Sequence, residues 1–491
     1  VSPGHIHKPD GTADPNGEGE DIYEKWTSTD SLPTTAGAWR LMNNVTVSSG
    51  TVLNEDVTLC LNGHTITVED GADYAYYVTR SHTLNIVDCQ GSGVINGGST
   101  AAGSRAGVKV ESYGTFNLYA GTIKGFGHGV LLDRTTYGSV TFNMYGGTIT
   151  GNHSGGFGGG VAVQKNGKFE MYGGSITGNS AATYGGGVCN TNGSVKLAGG
   201  TISGNTAGTQ GGGIYNNSEG SVSSNSYAGL LLYPTRGGYK ITVTGNTVGG
   251  AANNLATAQT IMLSREWSNY YSPTLRSTGS TIGMTVLEPA NGKDVVEAYR
   301  GSNGGYYNAG DLSRDLPRFT LDDNKDGQME LTTWDGAFVI QLTVYHKHSI
   351  CNLDSASHDI SVAGHSGECG GEIDFKEWTD YEAQKDYGST TFASGGGYVR
   401  ATNWLPRTGN WYLSKDVTLE KTWKANGSDK QLNLCFNGHT VTSADSNTSK
   451  SLLRVTALAK VNLTDCAATP GGLRGNSALT AQRGLQVSNA Y

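Results

Sequence analysis

The nine residues Asp322-Asp323-Asn324-Lys325-Asp326-Gly327-Gln328-Met329-Glu330 place oxygen-bearing side chains where a calcium loop needs them. Asp322, Asn324, Asp326 and Glu330 fall at positions 1, 3, 5 and 9, with Gly327 at the sharp turn. Position 12 is Thr333 instead of Glu and no flanking helices are expected, so a loose calcium loop fits better than a full EF-hand; an acidic turn is the alternative. Calcium is the one candidate cofactor. A second cluster gathers imidazoles and thiols: His346, His348 and Cys351, then His358, His365 and Cys369. Four of these, His346, His348, Cys351 and Cys369, have the ligand types of a tetrahedral zinc site. No Cys-x-x-Cys knuckle is present, and a Cys351–Cys369 disulfide is the simpler reading in an exported chain.

Glycoside cleavage needs two carboxylates about 5–9.5 Å apart. Residues 100–250 hold only four carboxylates, Glu111, Asp133, Glu170 and Glu219, and no adjacent acidic pair. Gly127-His128-Gly129 resembles the Gly-His-Gly of polygalacturonases, but the Asn-Thr-Asp and Asp-Asp segments that accompany it there are missing, so His128 reads as a corner residue. Aromatic clusters at Tyr74-Ala75-Tyr76-Tyr77, Trp267-Ser268-Asn269-Tyr270-Tyr271 and Tyr299 with Tyr306-Tyr307 offer rings on which sugars stack. Tyr76, Tyr77, Trp267, Tyr270 and Tyr271 are the candidate ligand contacts; capping the fold is the alternative task for them.

The elements that must carry these residues come from a repeat. Met144-Tyr145-Gly146-Gly147-Thr148-Ile149-Thr150-Gly151-Asn152 returns as Met171 to Asn179 and, diverged, as Leu197 to Asn205, with an earlier copy from Leu118. The starts at 118, 144, 171 and 197 are spaced by 26 or 27, and Gly-Gly-Gly before Val161, Val188 and Ile214 keeps the same period. Each unit holds three short alternating runs broken by Gly or Asn, which predicts three strands; a helix is excluded because glycines interrupt every apolar window. The predicted class is all-β, a right-handed parallel β-helix (solenoid) in which Leu118, Met144, Met171 and Leu197 form one inward column. Asn152, Asn179 and Asn205 are expected at corners, in the left-handed conformation and with room for an amide ladder.

A longer period overlies the short one. Leu32-Pro33, Gly37, Trp39, Leu41 and Cys60-Leu61-Asn62-Gly63-His64-Thr65 return as Leu405-Pro406, Gly409, Trp411, Leu413 and Cys435-Phe436-Asn437-Gly438-His439-Thr440. Tandem units follow: a segment 1–25, a first β-helix 26–345 with a β cap, an irregular linker 346–397 with a Cys/His knot, and the start of a second helix at 398–491. The second copy stops before its Gly-rich rungs, which suggests a fragment of a longer array or an open end. Cys60–Cys89 and Cys435–Cys466 are each separated by about one rung, so each pair is expected on neighbouring rungs, as a disulfide or as stacked thiols. Cys189 is left over.

Composition narrows the function classes. Gly reaches 74 of 491 residues, about twice the usual share of roughly 7 %, with only 10 Pro and no Gly-X-Y period, which excludes collagen. The net charge is −8 and no Lys/Arg run exceeds a dipeptide, so no nucleic-acid partner is expected. No apolar stretch approaches the roughly 18–20 residues of a membrane span. The N-terminus lacks a signal-peptide pattern; paired cysteines and abundant Thr, Ser and Asn favour an exported chain whose signal has been removed.

The "ITGN" or "ISGNTA" segments followed by "GGGV" or "GGGI", together with "LCLNGHTI", "DCQGSG" and "FNMYGGTITGN", resemble the β-helix repeats of large secreted surface proteins from Gram-positive gut bacteria. The pattern is also similar to the repeat of chlamydial polymorphic membrane proteins. The resemblance implies an extracellular, cell-surface adhesin or rigid stalk with a glycan or protein ligand, and it supplies no catalytic residues. The alternatives are a carbohydrate-active enzyme acting through Asp133, Glu111 and His128, and a subunit that self-assembles end to end.

Overall fold

Between residues 83 and 263, Gly or Asn cuts each apolar-polar alternation after a few positions, so every run becomes a short strand. The computed structural model describes residues 23–98, 103–133, 138–219, 221–223, 226–235, 237, 239–264, 273–287, 289, 293–298, 309–322, 329–333, 339–349, 372–387, 401–419, 421–426, 431–444, 451–456, 459–464, 471–474 and 483–488. They are nearly all β, in long parallel sheets. Two compact units emerge, 1–324 with 331–342, and 325–330 with 343–491.

In the first unit the chain visits three main β faces in turn, and in the regular rungs a short fourth strand, His153–Ser154, Ser180–Ala181 or Thr206–Ala207, pairs with its copies between the second and the third. Val140–Met144 lies in the first, parallel to Thr115–Leu118 on one side and Gly167–Met171 on the other. Thr148–Thr150 sits likewise in the second, between Thr122–Lys124 and Ser175–Thr177. Val161–Val163 does so in the third, between His128–Leu132 and Val188–Asn190. Each rung therefore pairs residue for residue with its copy one period away. The predicted column is continuous: Leu118 opposes Met144, Met144 opposes Met171, and Met171 opposes Leu197. Beside it Phe116, Phe142 and Phe169 stack with centroids 5.0 Å apart. The second sheet adds Ile95, Ile123, Ile149, Ile176 and Ile202, all buried. Full burial of each such side chain contributes about 1.5–3 kcal/mol, and each is covered by its neighbours above and below.

The corners after the second sheet differ in one respect from the sequence expectation. Gly151, Gly178 and Gly204 take the positive φ (61°, 65° and 64°), not the asparagines that follow them. The preceding glycine absorbs the turn because it has no Cβ to clash, which frees each Asn to point inward. The amides of Asn152, Asn179, Asn205, Asn246 and Asn254 then form a buried ladder in which each Nδ2 donates to the next Oδ1 at 2.9–3.0 Å. Each Oδ1 also accepts the backbone N–H of the residue before it in the ladder, for example Asn152 N to Asn179 Oδ1 at 3.1 Å. Asn179, Asn205 and Asn246 donate in addition to the carbonyls of Ile149, Ile176 and Ile202, each at 2.9 Å. The side chains thus satisfy backbone groups that the sheets leave over at the bend.

In the second unit Glu372–Glu377, Gly409–Tyr412, Gln431–Cys435 and Lys460–Thr464 form one parallel run, and Trp423–Asn426, Ser451–Thr456 and Arg483–Ser488 another. Trp378, Leu405, Leu413, Leu432, Leu434 and Leu453 fill its core. The stretch read from sequence as a linker thus carries elements of its own, including the helix Asp380–Tyr387. Glu24–Trp26 pairs with Gly37–Leu41 as Glu372–Glu377 pairs with Gly409–Tyr412, and Trp26 meets Trp39 edge-on at 5.3 Å as Trp378 meets Trp411 at 5.2 Å. The second copy therefore reaches back to Phe375, the counterpart of Tyr23. The longer connection between Trp378 and Gly409 hides that match from a fixed-offset comparison.

Candidate functional site

Alternation along the first sheet sends Phe142 and Met144 inward and Thr141, Asn143 and Tyr145 outward. Because the register repeats, each outward position becomes a row. Thr83, Thr115 and Thr141 line one. Asn85, Asn117 and Asn143 line the next: Asn85 Nδ2 donates to Thr58 Oγ1 at 2.9 Å, Asn117 Nδ2 to Asn85 Oδ1 at 2.8 Å and Asn143 Nδ2 to Asn117 Oδ1 at 2.8 Å. A carboxamide carries two donors and two acceptor sites, so this half-buried row consumes only part of its capacity. Tyr119, Tyr145 and Tyr172 form the third row, stacked with centroids 4.8 and 5.1 Å apart and planes within 11°. The rings cover one another's faces and turn edges and hydroxyls outward; Tyr145 is 44 % exposed.

The rows end at an ion pair. Lys196 Nζ lies 3.2 Å from Glu170 Oε2 and stands over the rings of Tyr172 and Tyr233, at 5.1 and 4.6 Å from their centroids. The Tyr172 hydroxyl donates to the same carboxylate. Burial works to raise the pKa of Glu170, but the Tyr172 hydroxyl and Lys196 outweigh it and hold the group below its ordinary 4.5. Burial, followed by the Glu170 hydrogen bond, pushes the Tyr172 phenol up. A depressed carboxylate adds stability that is complete above its ordinary value and disappears as pH falls through the folded value. Glu170→Gln should therefore lower the urea midpoint at pH 7, with the gap to wild type closing as pH is lowered below about 4.5. Lys196→Met should cost about 1–3 kcal/mol at pH 7, because it removes the ammonium from a carboxylate that is 14 % exposed.

Other sequence candidates are placed as follows. Tyr76 is fully buried, with its hydroxyl 3.2 Å from the Pro33 carbonyl, so it is a core residue and not a ligand contact; alternation along Tyr74–Val78 directs it inward. Tyr77 faces outward and donates to Glu111. Lys109 Nζ sits between Glu111 (3.0 Å) and Asp133 (2.9 Å). Burial acts against its charge, and the two carboxylates overcome this and raise its pKa. Glu111 and Asp133 do come together, yet a lysine fills the gap where a sugar oxygen or water would sit. His128 is buried against Phe157, with Nδ1 2.8 Å from the Gly158 carbonyl, and burial holds its imidazolium form below the ordinary range.

Asp322 is committed elsewhere. Its two oxygens accept from Asn254 N and Asn254 Nδ2, both at 2.6 Å, and from Thr285 Oγ1 at 3.0 Å, which makes it the terminus of the buried amide ladder. Asn324 and Asp326 lie outside the described residues, as do Cys351, His358, His365, Cys369, Cys466, Trp267, Tyr270 and Tyr271; for Glu330, His346 and His348 only the backbone is described, in strands. Among the described residues no group of three or more His, Cys, Asp or Glu side chains is arranged to hold a metal, and no helix is long and apolar enough to cross a membrane. Cys60 and Cys89 lie on adjacent rungs with Sγ atoms 2.9 Å apart. Cys435 is buried against Phe375 and Tyr412.

The tyrosine row is the feature that the sequence reading passed over. Its signal was present, since Tyr119, Tyr145 and Tyr172 each directly follow a member of the inward column. No protein family, curated protein or solved structure matches the chain.

Proposed function

We propose that the chain is a right-handed parallel β-helix surface protein, a rigid extracellular adhesin or stalk that takes an uncharged glycan on the outer face of its first sheet. The observation that carries this reading is the alignment of the Asn85–Asn117–Asn143 amides beside the Tyr119–Tyr145–Tyr172 stack. Hydroxyl-rich ligands need many fixed donors and acceptors at regular spacing, and rows held in register by β pairing are pre-organised for that. Since the rings cover each other, a sugar meets their edges and hydroxyls and lies along the amides instead of stacking on a face. The rows are neutral up to the Glu170–Lys196 pair, which favours an uncharged ligand over an anionic one. The second unit repeats the theme: Asn433 Nδ2 donates to Asn410 Oδ1 and Asn462 Nδ2 to Asn433 Oδ1, both at 2.7 Å, on the strands that correspond to the first sheet. Two such rows on one chain suit multivalent attachment.

A glycan array probed with the full chain is the test, read for binding and for released product. Binding without cleavage is expected, with Asn117→Ala/Asn143→Ala and Tyr145→Ala each weakening it at least about tenfold. Binding that is indifferent to all three substitutions would remove the site, and product release would favour the enzyme.

A further inference from the structure

The corner that follows the first sheet near its start holds two thiols that the proposed glycan face does not use. Cys60 ends the strand Val57–Cys60, and Cys89 lies just past the end of its neighbour Thr83–Val87, one rung on. Their sulfurs are 2.9 Å apart, nearer than two sulfurs rest in ordinary contact, although 29 residues separate them in the chain. Cys60 is fully buried in a small cluster with Tyr23 and Val87; Cys89 is half-buried, with its thiol 3.5 Å from Asn62 Oδ1. The same corner is held by Asp88, whose carboxylate accepts from Gly63 N at 2.8 Å and Gly93 N at 2.6 Å. The backbone is thus fixed on both rungs without help from sulfur chemistry.

We propose that Cys60 and Cys89 are a modification site at which the two rungs are joined by a structural disulfide. The two thiols give up two protons and two electrons as the S–S bond forms, and a disulfide oxidant such as glutathione disulfide accepts them and leaves as two thiols. The second unit repeats the setting of the first of these two cysteines. Cys435 occupies the position of Cys60, and its aromatic cover, Phe375 and Tyr412, occupies the positions of Tyr23 and Arg40. Oxidation of the folded chain is slow, because the attacking thiolate is scarce: the Cys60 hydrogen bond and burial both push the Cys89 thiol up. This is a staple and not a rapid redox sensor.

The full chain, reduced and then incubated with glutathione disulfide, is unfolded, alkylated and mapped by peptide mass. Cys189, buried alone in the third sheet, is the internal control and should alkylate throughout. The expected result is a cross-linked Cys60–Cys89 peptide in place of the two alkylated ones, and greater resistance of residues 23–98 to protease. In Cys60→Ala the cross-link should vanish and Cys89 should carry glutathione; Cys89→Ser serves as the partner variant should the buried alanine fail to fold. Full alkylation of both cysteines after prolonged oxidation, or a wild-type chain carrying glutathione at Cys89 in place of the cross-link, overturns the proposal.

Discussion

Asn179→Ala is expected to destabilise the first unit by about 3–5 kcal/mol, read as a fall in the urea midpoint or as loss of hydrogen-exchange protection at residues 149–205. The side chain accepts from Asn152 N at 3.1 Å and Asn152 Nδ2 at 2.9 Å. It donates to Ile149 O at 2.9 Å, Thr177 O at 3.2 Å and Asn205 Oδ1 at 3.0 Å. Alanine removes all five contacts where no water reaches, since Asn179 is 1 % exposed. The Asn152 amide nitrogen then loses its acceptor and the Ile149 carbonyl a donor, and each buried unmet group costs about 1–3 kcal/mol. Asn179→Asp sharpens the test. A carboxylate can still accept from Asn152 but has nothing to give to the three acceptors beyond it, so its pKa rises in the folded state. The neutral form alone suits that environment, so the deficit of Asn179→Asp against wild type should shrink as pH is lowered, opposite to the usual behaviour of a paired carboxylate. A deficit that is independent of pH would mean that the ladder is not the cause.

How far this was legible in the sequence depends on whether the determining partner lies one period away. Leu118, Met144, Met171 and Leu197 each face a long apolar residue in the same strand position one rung on, and the period alone aligns them. The Asn ladder was legible in part: the spacing of Asn152, Asn179 and Asn205 gives the stacking, but the assignment of the left-handed turn to Gly151, Gly178 and Gly204 depends on where the amide must point. Asn246 and Asn254 follow after intervals of 41 and 8 residues, where the repeat is lost, and no periodic argument reaches them. Tyr145 was hidden by its own regularity: inside the recurring motif it reads as part of the scaffold, while its exposure follows only from Met144 being inward. Tyr76 is the converse case, an aromatic in an irregular cluster that alternation along one strand turns into the core. The match of Phe375 and Trp378 to Tyr23 and Trp26 was lost because the connection to the next strand differs in length between the copies.

Asp322→Asn, a change of one atom type, should cost about 2–4 kcal/mol, although the local sequence around Asp322 reads as a calcium turn. Every amide in the ladder passes a donor toward this end, and the final donors, Asn254 N and Asn254 Nδ2, go to separate Asp322 oxygens at 2.6 Å. A carboxylate is acceptor on both sides; a carboxamide is not, so in either orientation its NH2 meets one of the two donors and a bond becomes a repulsion. Charge matters as well as count, since hydrogen bonds to an ionised acceptor are roughly twice as strong as neutral ones. Thr285→Val removes only the 3.0 Å hydroxyl contact and should cost about 1 kcal/mol, which separates loss of one bond from loss of the terminus. The partners are 68 residues apart in sequence, so the effect should appear as faster exchange at Asn254 and along the neighbouring strands, not only around residue 322. If Asp322→Asn instead left the unfolding midpoint unchanged while abolishing a calcium-dependent rise in that midpoint seen for wild type, the carboxylate would be serving the ion and not the ladder.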